Sequence, residues 1–73
     1  MSIDWKNRAK TLIKSEIAKQ DIDYIELAQR LKQIDVEDTQ INLANKINRG
    51  TFSFLFALQI FEVLGIKNLR LRD

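Results

Sequence analysis

Cysteine and histidine are absent from the 73-residue chain, which removes disulfides, thiolate and imidazole metal sites and most nucleophile–base pairs in one step. Serine occurs only at positions 2, 15 and 53, with no partner base at useful spacing, and the two glycines, Gly50 and Gly65, make no glycine-rich loop for a phosphate. Long apolar runs are missing too. The longest, Phe52 to Ile66, is broken by Gln59 and Glu62 and falls short of the roughly 20 residues of a membrane span. Near the N-terminus, Asp4-Trp5-Lys6 would disrupt a signal sequence. The expectation from these gaps is a cytoplasmic protein that is not an enzyme, with no membrane, cofactor, metal or small-molecule substrate. The acids Asp35, Glu37 and Asp38 invite a metal reading, but they lack the alternating ligands, the turn glycine and the distal glutamate of a calcium loop. Asp35 and Glu37 as a catalytic carboxylate pair would need an enclosed pocket, for which a domain of this size has little volume.

What is present is enough for one domain over residues 1–73. A chain this short draws only about 3 to 5 kcal/mol from a single core, and oligomerisation is the remaining means of reinforcement. The net charge of +2 conceals segregation: residues 1–20 carry +3, residues 21–38 carry −4 and residues 39–73 carry +3. A polyanion would have to meet the basic ends.

The apolar pattern predicts four helices, at about 4–20, 23–34, 38–49 and 52–65. In the first, Trp5, Ala9, Leu12, Ile13 and Ile17 line one side. Asp4 is the expected N-cap, and Lys6, Lys10 and Lys14 repeat on the other side as a phosphate-binding or simply solvated face. In the second, Asp23 and Glu26 form a capping-box-like start, and Tyr24, Leu27, Ala28, Leu31 and Ile34 make the buried stripe. Glu26, Gln29, Arg30, Lys32 and Gln33 face away. Asp35 to Asp38 is a polar turn in which Val36 plugs the corner, with Asp38 or Thr39 capping the third helix. Gly50 ends that helix through a left-handed residue.

The third helix buries Leu43, Ala44 and Ile47, with Ile41 at the margin. Asn42, Asn45, Lys46 and Arg49 fall at offsets of 0, 3, 4 and 7, one contiguous face. Asn42, Asn45 and Asn48 are poor helix formers, a cost that invites a functional reason. The fourth helix carries all four phenylalanines. It should be enclosed on most sides, and any part left bare marks a protein interface, which motivates a homodimer through residues 52–65. Lys67 to Asp73 is expected to be an extended tail or a short strand.

Four short helices, Leu27-Ala28 in the second, a glycine closing the third and an apolar fourth ending in Leu64-Gly65-Ile66 together resemble the lambda-repressor-like helix-turn-helix proteins, over residues 9–69. The run Asn45-Lys46-Ile47-Asn48-Arg49-Gly50-Thr51-Phe52 resembles more closely a signature of short bacterial proteins of unknown function placed with that fold. The resemblance implies an all-α bundle of four to five helices, with the third helix in the major groove of double-stranded DNA. Carried onto this chain, Thr39, Gln40, Asn42 and Asn45 are candidates for base edges, and Lys46 and Arg49 for phosphate. Two features depart from the family pattern. The interval from Leu27 to Gly50 is longer than usual, which implies a second and third helix each extended by about a turn, and Asp21, Asp23 and Glu26 stand where a phosphate-contacting residue is usual. The function expected is a small DNA-binding transcriptional regulator. The alternative is a helical protein–protein interaction domain without nucleic-acid contact.

Overall fold

The computed structural model describes residues 3–68. Among them are four helices and no strand: α1 (Trp5–Lys19), α2 (Tyr24–Gln33), α3 (Gln40–Arg49) and α4 (Phe54–Leu64). Of the expected C-terminal tail, residues 69–73 lie outside the described residues, and Lys67 and Asn68 form a bend.

Every helix starts on the same device. Asp4, Asp23, Thr39 and Ser53 each hold an extended backbone conformation, and each side-chain oxygen accepts the N–H three residues on, from Asn7, Glu26, Asn42 and Phe56. That bond satisfies one of the N–H groups a helix leaves free at its first turn. Glu26 does not close the expected box. Its carboxylate turns down the helix to Arg30 at 2.6 Å, where a charged partner outweighs a single backbone N–H.

Three helix ends also share a device that the sequence pattern does not suggest. After α1, Asp21 takes a φ of +54°, and after α2, Asp35 takes +62°. Asp21 N–H donates to Ala18 and Ile22 N–H to Ile17; Asp35 N–H donates to Lys32 and Val36 N–H to Leu31. Gly65 and Ile66 repeat the arrangement on Glu62 and Phe61. These are Schellman endings: a left-handed residue, then an apolar one folded back onto the helix. Ile22, Val36 and Ile66 are accordingly packed on the core.

The core is correspondingly regular. Ile13 and Ile17, Leu27 and Leu31, Leu43 and Ile47, and Phe56, Ile60 and Leu64 are buried together, each set at a spacing of four that stacks side chains on one helical face. α3 packs against both α1 and α2, and α4 packs against α2. Trp5 and Ile34, expected in buried stripes, are exposed; each stands at or beside the end of its helix, where no neighbouring helix covers it. α4 is less enclosed than its composition suggests, since Phe54 and Leu55 are 75% and 66% exposed and Leu58 is also bare.

Arg30 is the largest departure from the sequence pattern. Instead of facing solvent, its guanidinium donates to Glu26, to the Gln20 side-chain oxygen at 3.1 Å and to the Val63 carbonyl at 3.3 Å, while the Gln20 amide donates to the Leu64 carbonyl. A cation and an amide thus satisfy the last carbonyls of α4 at the negative end of its dipole. The network joins α1, α2 and α4. Among the described residues no buried side-chain nitrogen or oxygen lacks a partner.

Candidate nucleic-acid interface

α3 is fixed at three points, and these determine what its outer face presents. Leu43 and Ile47 anchor it in the core. Its start is held by Thr39, and its end by Gly50 at a φ of +69°. A Cβ on Gly50 would overlap the carbonyl oxygen of Lys6, so α1 crosses directly over the end of α3. Lys14 Nζ donates to Asn48 Oδ1 at 2.9 Å, a second tie between the same two helices.

This geometry corrects the placement of the lysine row. Lys6, Lys10 and Lys14 are expected opposite the buried stripe, but Lys6 stands seven residues before Ile13 and Lys10 seven before Ile17, which returns them to the side of that stripe. A spacing of four drifts only about 40° per step on a 3.6-residue turn, so the row stays on one flank of α1, and that flank borders α3. Lys6 meets Gly50 through its backbone, Lys14 reaches Asn48, and Lys10 between them is half-buried.

The outer face of α3 carries a shallow, open concavity lined by Asn42, Asn45, Lys46, Asn48 and Arg49. Four of the six candidate contact residues are therefore brought together, and Asn48 joins them. Asn48 follows Asn45 by three positions, so the spacing held the signal for it. Thr39 lies elsewhere. It lines a second depression, with Ala28, Gln29, Lys32, Glu37, Asp38 and Asn42, between α2 and the start of α3. Gln40 is exposed on the first turn and lines neither.

Charge is unevenly distributed along α3. Near its start, the Asp38 carboxylate is only 8% exposed. It accepts from Lys46 Nζ at 2.6 Å and from the Thr39 N–H at 3.0 Å. Burial raises the Asp38 pKa, but the Lys46 ammonium, with help from the Thr39 N–H and the Asn42 amide, outweighs it and leaves the carboxyl below its ordinary value. Lys46 also stands 5.0 Å from the centre of the Phe56 ring, a cation–π contact, and Phe56 in turn packs on Phe52 at 5.6 Å between ring centroids. Lys46 thus links α3 to α4 while 41% of its side chain stays exposed. Arg49, on the last turn, is exposed and makes no ion pair among the described residues.

Among the described residues no three acids come close enough to hold a metal ion, and no helix is long and apolar enough to cross a membrane. No curated protein and no solved structure matches the chain. The model of one family, described as a domain of unknown function (DUF6471), matches residues 5–69, and the chain belongs to that family.

Proposed function

We propose that the protein is a small DNA-binding regulator of the lambda-repressor-like helix-turn-helix kind, with α2 and α3 as the helix pair and α3 in the major groove. The observation that carries this reading is the exposed amide face of α3. Asn42, Asn45 and Asn48 stand in one concavity beside Arg49, on a helix whose other side is fully buried at Leu43 and Ile47. Side-chain amides pair with the donor and acceptor of adenine, and a guanidinium suits guanine or phosphate. A solvated helix would be more stable with lysine or glutamate at these positions.

The helix pair itself is an unusual one. Six residues, Ile34 to Thr39, separate α2 from α3, against the three or four of a compact helix-turn-helix. Val36 and Asp38 are turned inward, so the added length is folded onto the core. The extra chain lies in this connection, and α2 and α3 are 10 residues each.

The bare Phe54, Leu55 and Leu58 of α4 favour a second partner, another copy of the chain. The test of the DNA reading is anisotropy of a labelled random-sequence duplex across a salt series. Binding should weaken with salt, and Arg49→Ala should flatten the log–log slope by about 0.9, the value of one phosphate. An unchanged slope and affinity in Arg49→Ala would overturn the assignment.

A further inference from the structure

We infer that the duplex is gripped between α3 and α1, with the phosphate strand running along Lys6, Lys10 and Lys14, and that the α2 side of the helix pair is turned away from it. This rests on the nucleic-acid reading above and assigns the flank of α3 on which the backbone lies.

The helix-turn-helix arrangement normally presents the first turn of the reading helix to base edges, with the preceding helix crossing the backbone. The charges here oppose that pose. The depression between α2 and the start of α3 holds Glu37 and Asp38 against Lys32, and Asp35 is exposed in the connection beside it. Lys46, the cation within reach, is neutralised by Asp38. The Thr39 hydroxyl oxygen already caps α3, which leaves its O–H as the one group that side chain can offer there. A phosphate strand laid along α2 would meet net negative charge at separations below the roughly 8 Å over which physiological salt screens.

The other flank has the opposite character. Lys6 and Lys10 make no ion pair among the described residues, and Lys14 is bound only to the neutral Asn48 amide. The first and last of the three are eight positions apart, about 12 Å of helix, long enough to follow several phosphates of one strand. They border the end of α3 at Gly50 and Asn48, and Asn45 is the next residue round the helix from Asn48 at a spacing of three. The Lys14–Asn48 bond is the join between phosphate grip and base-reading face, since it fixes an ammonium beside an amide that has donors left for a base. Contacts to bases therefore come from Asn45 and Asn48, with Asn42 at the edge. Thr39 and Gln40 lie outside the footprint.

The experiment is the same salt series on a 20-base-pair random duplex, comparing wild type with Lys10→Gln/Lys14→Gln and with Lys32→Gln. Glutamine keeps most of the aliphatic stem, and circular dichroism checks that each variant folds. The α1 pair should lower the slope by about 1.8, since each lysine that neutralises a phosphate accounts for about 0.9, and Lys32→Gln should leave it unchanged. Salt-dependent binding that the α1 pair leaves intact, or that Lys32→Gln flattens instead, overturns this docking while sparing the DNA reading. No salt-dependent binding by the wild type overturns both.

Discussion

Gly50 and Gly65 share one backbone conformation, a φ of +69° at each, yet a methyl group would meet different surroundings at the two. Beside Gly65 there is open space, whereas at Gly50 the Lys6 carbonyl occupies the position. Gly65→Ala should therefore cost only the left-handed penalty of about 1 kcal/mol, a fall of roughly 4–8 °C in Tm for a domain of this size. Gly50→Ala should cost at least twice that, because α1 must also shift; equal melting temperatures for the two variants would mean that the close approach is not real. Asp38 supplies a second test at this scale. Its folded pKa lies below its unfolded value, so its pairing stabilises the fold fully above the unfolded carboxylate range near pH 4 and ceases to do so as pH falls through the folded pKa. Denaturant titrations at pH 7 and pH 3 should show wild type losing more stability on acidification than Asp38→Asn. An identical acid loss in both would remove Asp38 from the account. Of these residues the sequence made Gly50 legible as a helix end, but its contact with Lys6, forty-four positions away, depends on how α1 crosses α3.

At the scale of elements, helix starts were more readable than helix ends. Asp4 and Asp23 stand as oxygen-bearing residues just before an apolar pattern, and Thr39 was one of two candidates; Ser53 was hidden because the alternating phenylalanines begin one residue earlier. Helix ends were hidden because Asp21 and Asp35 read as generic polar breaks, although the residue after each, Ile22 or Val36, is the apolar one that a Schellman ending folds back. Asp35 gives a direct test. Asp35→Gly should hold or slightly raise stability, while Asp35→Val should lose more than about 1 kcal/mol in urea, since a β-branched residue resists a positive φ. Matching effects would mean that the left-handed turn is not maintained in solution. Arg30 could not be read at all, because a guanidinium on the polar side of one helix carries no sign that it serves the end of another. Arg30→Ala should cost about 1–3 kcal/mol through the carbonyls and amide it leaves unpaired. Arg30→Lys should rescue little, since a single ammonium cannot reach Glu26, Gln20 and Val63 together; full rescue would reduce the network to a simple ion pair.

For the molecule as a whole, the uncovered face of α4 is the feature that a partner would change most. Phe54 and Leu58 are one turn apart with Leu55 beside them, a stripe of the width that packs helix on helix. A second copy placed face to face on it would bury these side chains in a two-fold contact. The amide face belongs to α3, which packs on α1 and α2, so the residues proposed to read bases need not be covered by such a contact. Sedimentation equilibrium should show dimers at micromolar concentrations. Leu58→Glu should shift the protein to monomer without loss of helical signal, because Leu58 is not part of the buried core. The same variant should weaken binding to a duplex carrying two half-sites about 34 Å apart while leaving affinity for a single half-site unchanged. A wild type that stays monomeric at high micromolar concentration would leave α4 to a different partner and the proposed DNA contacts to one protomer alone.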